Sequence, residues 1–257
     1  MEASLPALIK YLQAERPDFD LDPALPSFDQ YRSLVNTRPA QPISSDYLEA
    51  EGQVLDVINQ AKPHYDWTDM AETWGPLALW QGDICQLAVD GIVNAANSQL
   101  LGCFIPGHAC IDNVIHSYAG TALRLECQDL VAKQGRLEAA GKAKLTSAHH
   151  LPSRYIIHTV GPVIQDGRVT PIRRQLLAKC YRSCLEVAER EGLDCIAFPC
   201  IATGQFAFPR EEAAQIAIHT VTAYLDEHPS RLKVIFNVFS DEDAQIYRQL
   251  LGEENDE

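Results

Sequence analysis

From Leu77 onward the chain alternates short apolar runs with amphipathic helical stretches, and that alternation admits few architectures. The runs expected to form strands are L-A-L-W-Q over 77–81, G-I-V-N-A-A over 91–96 and A-K-L-T-S-A over 143–148. R-Y-I-I-H-T-V over 154–160, C-I-A-F-P-C over 195–200 and L-K-V-I-F-N-V-F over 232–239 complete the set. Helical spacing is expected over 111–134, 172–191, 210–227 and 241–251. Elements in that order make an α/β domain with a helix-flanked mixed sheet. Ligands of such sheets bind outside the carboxyl ends of the strands, where loops open into helix N-termini.

The first 76 residues have a different texture. Eight of the fifteen prolines precede Leu77, and R-P-D-F-D-L-D-P-A-L-P-S reads as turn and linker. Helical patterns surround it at 5–14, 28–36 and 44–61. The last opens on a Ser/Asp cap and keeps Tyr47, Leu48, Val54, Leu55 and Ile58 near one face. The expected organisation is a helical extension over 1–76, a domain over 77–251 and an acidic tail over 252–257.

Net charge excludes some partners. The chain carries −14, as −8 over residues 1–76 and −6 over 77–257. A polynucleotide-binding surface shows a basic excess, so no nucleic-acid partner is expected, whereas a small phosphorylated ligand remains compatible through backbone amides. No apolar run is long enough to span a membrane, and no basic segment leads into an apolar one at the start, so a cytoplasmic protein is expected. Eight cysteines in a chain this long do not form a disulfide scaffold. Cys85, Cys127, Cys195 and Cys200 read as core, as do Cys180 and Cys184 on one helix face.

Two loops carry unusual residues. C-F-I-P-G-H-A-C spans 103–110 and holds three metal donors, Cys103, His108 and Cys110, just after V-D-G-I-V-N-A-A-N. Two thiolates and an imidazole suit zinc, and three protein ligands leave a coordination position open for chemistry. The same residues also permit a structural site closed by a distant ligand such as Cys127 or a histidine, or no metal at all. His116, His149, His150 and His158 read as structural or solvated. The second loop, I-A-T-G-Q-F-A-F-P, offers the Thr203 hydroxyl, backbone approach at Gly204 and Pro209 at a helix start.

Taken in order, W-Q-G-D-I, V-D-G-I-V-N-A-A-N, the loop entering I-D-N-V-I-H, and A-T-G-Q-F resemble the macrodomain family over about 77–251. The resemblance implies a three-layer α/β/α fold with a mixed central sheet, and recognition of ADP-ribose. Many macrodomains have a glycine run between N-A-A-N and the next helix. This chain has G-C-F-I-P-G-H-A-C-I-D-N instead and is similar to the zinc-dependent branch, whose members remove ADP-ribose from proteins and carry a helical N-terminal extension.

By that resemblance Asp83 accepts from the adenine amino group with the Ile84 amide alongside, and Asn97 faces the distal ribose. Ile111 and Asp112 line the ribose and phosphate region. Ala202, Thr203, Gly204, Gln205 and Phe206 wrap the diphosphate, with Phe206 sheltering the ribose. Zn2+ is expected on Cys103, His108 and Cys110, with Asn97 orienting the sugar and Asp112 as orienter or base. Releasing ADP-ribose breaks a bond at the anomeric carbon or the attached acyl carbon, which an open metal site assists. The expected substrate is mono-ADP-ribosylated protein. The alternatives are a non-catalytic ADP-ribose-binding module with a structural zinc, and a hydrolase of a free ADP-ribose derivative.

Overall fold

A computed structural model of the chain describes residues 1–165 and 167–253. The helices are α1 (Leu5–Glu15), α2 (Ser27–Thr37), α3 (Ser45–Gln60), α4 (Ile111–Ala119), α5 (Thr121–Gln134), α6 (Pro171–Arg190), α7 (Arg210–Glu227) and α8 (Asp241–Glu253). The strands are β1 (Glu72–Trp74), β2 (Leu77–Gln81), β3 (Gly91–Ala96), β4 (Ala143–Ser147), β5 (Tyr155–Val160), β6 (Cys195–Phe198) and β7 (Lys233–Val238). Among the described residues they form one sheet in the order β1-β2-β7-β6-β3-β5-β4. Strands β2, β7, β6, β3 and β5 are parallel, and β1 and β4 close the two edges antiparallel.

The strands read as near-continuous apolar runs because both faces are covered, as parallel sheets require. In β3, Val93 packs with α6 and α7, whereas Ile92 and Ala96 point to the opposite layer of Ile115, Leu123 and Cys127 from α4 and α5. In β7, Val234, Phe236 and Val238 face the first layer and Ile235 the second. The result is the expected three-layer α/β/α arrangement. All five parallel strands end at the same edge of the sheet. After β3 the chain crosses to the α4/α5 layer and after the neighbouring β6 to the α6/α7 layer, so a crevice opens between their two loops.

Three expectations need correction. The extension is not helical to its end, because after a 3-10 turn at Trp67–Asp69 residues 72–74 form β1 and join the sheet through a tight turn at Gly75, whose φ is +58°. A three-residue strand is too short to show a period. The expected helix over 111–134 is broken at Gly120, whose φ is +91°. A Cβ there would lie 2.9 Å from Leu55 Cδ1 and 3.1 Å from Glu51 Oε2, so the extension packs against the break itself. Helix α8 also runs past 251 to Glu253, and residues 254–257 of the expected acidic tail lie outside the described residues. Among the described residues no helix is long and apolar enough to cross a membrane.

The extension has its own core of Leu8, Leu12, Tyr31, Leu34, Tyr47 and Leu55, and it is fastened to the domain by buried polar groups. Glu51 is the centre of that joint. Its carboxylate accepts from Tyr31 Oη at 2.8 Å, Tyr47 Oη at 2.9 Å, the Thr121 amide at 2.8 Å and Thr121 Oγ1 at 2.7 Å. Gly120 has no side chain to cap α5, so Glu51 supplies the missing acceptor at a helix N-terminus, where negative charge is favoured. Phenol ionisation is suppressed at Tyr31 and Tyr47, held well above the usual range first by burial and then by this carboxylate.

Glu51→Ala leaves those buried donors without an acceptor. The expected loss of stability is about 3–5 kcal/mol, since each stranded donor costs about 1–3 kcal/mol. Urea unfolding of the two proteins reads it directly, and a loss under about 1 kcal/mol would contradict this account of the joint.

Candidate active site

The two loops singled out in the sequence meet at the crevice. After β3 the backbone turns through Leu100 (φ +60°) and Gly102 (φ +77°) before it reaches Cys103. Gly102 is required there, because a Cβ would sit 3.0 Å from Arg124 Nη2 and 3.1 Å from the His116 ring. The 103–110 loop then folds back so that one donor atom from each of Cys103, His108 and Cys110 lies within 4.8 Å of the others. Cys103 Sγ faces His108 Nδ1 at 3.6 Å. Among the described residues no fourth His, Cys, Asp or Glu donor joins the three. Cys127 belongs elsewhere, to a wholly buried group with His116 and His158.

The three side chains fit a divalent ion of the zinc type. Tetrahedral zinc with bonds of about 2.0–2.3 Å needs donors a few ångströms apart, as these are. Burial pushes the Cys110 thiol up to about 12, the Asn113 amide opposes the shift, and the adjacent Cys103 adds to it. Two sulfurs so close both ionise readily only with a cation between them.

Behind this trio lies a buried polar network. Asp112, in the first turn of α4, accepts from Asn94 Nδ2 at 2.8 Å and from Asn97 Nδ2 at 3.3 Å. Asn94 Nδ2 also approaches His158 Nδ1 at 3.2 Å, and His158 Nε2 meets Thr146 Oγ1 at 2.9 Å. Burial holds the Asp112 carboxyl up at about 6, against the Asn94 hydrogen bond and the Arg124 charge, which pull it down. The same burial drives His158 down to about 3 and His116 well below its ordinary value, so both rings are neutral. His116 Nε2 lies 3.6 Å from Asp112.

Asn97 has little amide to spare. Its two amide hydrogens go to Gly102 O at 2.9 Å and to Asp112, and its Oδ1 accepts from the Gln99 amide at 2.9 Å. A ligand hydroxyl therefore has the remaining Oδ1 lone pair to address.

The second loop follows β6. Ala202 (φ +67°) and Ala207 (φ +55°) bend it, Thr203 Oγ1 donates to Cys200 O at 3.0 Å, and Phe206 O accepts from Ile164 N at 2.8 Å. No atom lies within 4 Å of a Cβ built on Gly204, so this stretch of backbone faces open space. Pro209 stands immediately before α7, as expected. Gln205 reaches across the crevice, with Nε2 3.2 Å from His108 Nε2, and so joins the two loops.

At the far end, after β2, Asp83 Oδ1 accepts from the Cys85 amide at 3.0 Å, and Ile84 is buried in the short 3-10 turn that follows. Lys62, just past α3, pairs with Asp83 Oδ2 at 3.3 Å and lies 3.6 Å from the centre of the Tyr118 ring. Every sequence-derived site residue thus falls on this one edge of the sheet, with Ile111 at the start of α4 beside Asp112. Sequence reading missed Asn94, Lys62, Arg124 and Arg32, the last donating from α2 to the His108 carbonyl at 3.2 Å. Only Asn94 carried a signal, as a polar residue inside an apolar strand.

Asn94→Ala is expected to cost about 2–3 kcal/mol, because the Asp112 carboxylate and His158 Nδ1 lose a shared buried donor. Chemical denaturation measures this, and an unchanged midpoint would count against the network.

A family model described as Macro domain matches residues 93–217. A Staphylococcus aureus (strain MRSA252) protein named Protein-ADP-ribose hydrolase is 47% identical over 253 residues, covering 96% of this chain and 95% of its own length. Among solved structures, the Oceanobacillus iheyensis macrodomain with ADP is 37% identical with a TM-score of 0.63, covering 70% of this chain and 92% of that one. The Trypanosoma brucei macrodomain in complex with ADP-ribose is 26% identical with a TM-score of 0.66, covering 91% and 97%.

Proposed function

The chain belongs to the macrodomain family, and from that premise we propose that it is a zinc-dependent hydrolase removing mono-ADP-ribose from modified protein side chains. The observation that carries this reading is the convergence of Cys103, His108 and Cys110 on a loop whose start, the Gly102 carbonyl, accepts from Asn97, itself bonded to Asp112. A relative named Protein-ADP-ribose hydrolase and a related structure holding ADP-ribose support the substrate class.

ADP-ribose presents an adenine, two riboses and a diphosphate, and the crevice offers a counterpart for each. Asp83, paired with the Lys62 ammonium at 3.3 Å, accepts from the adenine amino group beside the Ile84 amide. Backbone from Ala202 to Gln205 lines the diphosphate, where amides bind anions without net positive charge. Phe206 and Ile111 shelter the sugar. Asn97 orients the distal ribose through its remaining lone pair, and Asp112 fixes Asn97 in turn.

When bound, zinc on two thiolates and one imidazole supplies Lewis acidity at the distal end of the crevice. Cys103, His108 and Cys110 would hold it. Asp112, hydrogen-bonded to Asn94 and Asn97, would serve as orienter of Asn97 or as base.

The decisive test pairs Cys103→Ala with chelation of the wild-type protein. Release of ADP-ribose from modified protein is expected to fall at least about 100-fold in both. Affinity for free ADP-ribose, by calorimetry, should change by less than about threefold, because the adenine and diphosphate contacts remain. Undiminished release would remove zinc from the reaction. No release by zinc-loaded wild type from Asp-, Glu- or Ser-linked substrates would leave a non-catalytic ADP-ribose-binding module.

A further inference from the structure

The metal loop is held from outside itself. Within it, one backbone hydrogen bond, His108 N to Ile105 O at 3.3 Å, spans the turn at Gly107, whose φ is +58°. Asn113 on α4 anchors the Ile105 carbonyl at 2.9 Å. Gln205 of the loop after β6 meets His108 Nε2 at 3.2 Å, and the remaining supports involve the extension. Arg32 Nη2, on α2, donates to the carbonyl of His108, the central ligand, at 3.2 Å. A Cβ on Gly107 would lie 3.5 Å from Ser33 Oγ, so the turn rests against the same helix. Phe104 stacks 4.8 Å from the Arg124 guanidinium, whose Nη1 donates to the α2-end carbonyls of Val35, Asn36 and Arg38.

Arg32 is itself fixed in direction. Its Nε donates to Ser117 Oγ on α4 at 3.4 Å, and Asp29 lies 3.6 Å from its Nη1. Ser117 Oγ also accepts from Asn36 of α2 at 2.9 Å, and its own hydroxyl donates to Asn113 O at 2.6 Å. One polar chain therefore runs from α2 through α4 to the backbone that aims the His108 ring.

We infer that α2 of the N-terminal extension is part of the metal centre, with Arg32 as a positioning residue that presets His108 against Cys103 and Cys110. The inference rests on the zinc reading above and extends it. A three-residue donor set on a glycine-turned loop loses conformational freedom when it binds a metal, and a loop already held in place loses less. Removing partners of this outer kind typically weakens metal binding about 10–100-fold.

The test uses the full chain with Arg32→Met, which keeps the packing stem and removes the donors, and Arg32→Lys, which restores one donor. Zinc affinity is read by competition with a chromophoric chelator, and geometry by the visible absorption of the cobalt(II)-loaded protein. Arg32→Met should bind zinc at least about tenfold more weakly, with a weakened or displaced cobalt spectrum, and Arg32→Lys should recover part of both. The rise in Tm on adding zinc should shrink in Arg32→Met, whereas a merely structural role would lower the zinc-free and zinc-loaded melting points together. Wild-type zinc affinity and an unaltered cobalt spectrum in Arg32→Met would overturn the inference while leaving the zinc reading intact. If wild type itself binds no zinc, the reading beneath fails and this inference with it.

Discussion

One buried cation organises the meeting of the three parts of this molecule. Arg124 is charged and only 4% exposed, and the carbonyls that accept from it lie outside its own helix. Its Nη1 donates to three carbonyls at the end of α2, with the Phe104 ring of the 103–110 loop stacked on the guanidinium and Gly102 against its edge. Burial lowers its proton affinity to about 10, so it remains charged at neutral pH. A buried charge without partners is intolerable, so the end of α2 must be docked wherever α5 is folded. Extension, sheet layer and loop are thus tied at one point.

The crevice inherits its order from that joint. Asp112 sits close enough to the guanidinium for the charge to steady its carboxylate, and the two asparagines of N-A-A-N hold it from the other side. The extension touches both ends of the crevice, through Lys62 at Asp83 and Arg32 at His108. It is better described as a wall of the site than as an appendage. The Gln205 bridge adds a second link, between the loop after β6 and the 103–110 loop.

Much of this was legible in the chain. The apolar runs around Val93, Ile157, Ile196 and Ile235 marked strands correctly, because a parallel sheet covered on both faces demands unbroken hydrophobicity and leaves a plain trace. The grouping of Cys103, His108 and Cys110 was visible because the three donors are local and a short loop cannot separate them far. Strand β1 was hidden by its brevity. The break at Gly120 was hidden because helical spacing continues across it, and the reason for the break, Leu55 and Glu51, lies some seventy residues away in sequence.

Local pattern by itself determined the strands, most helices, the loop donors and the acidic net charge, since each depends on the residues in the chain. Tertiary structure alone decided that Asn94 serves Asp112, that Glu51 caps α5, and that Arg32 and Lys62 reach into the crevice. Those pairings join residues 18 to 76 positions apart. Hydrogen bonds and ion pairs act over a few ångströms and leave no periodic mark on the sequence, so such partners are identified only once the layers have packed.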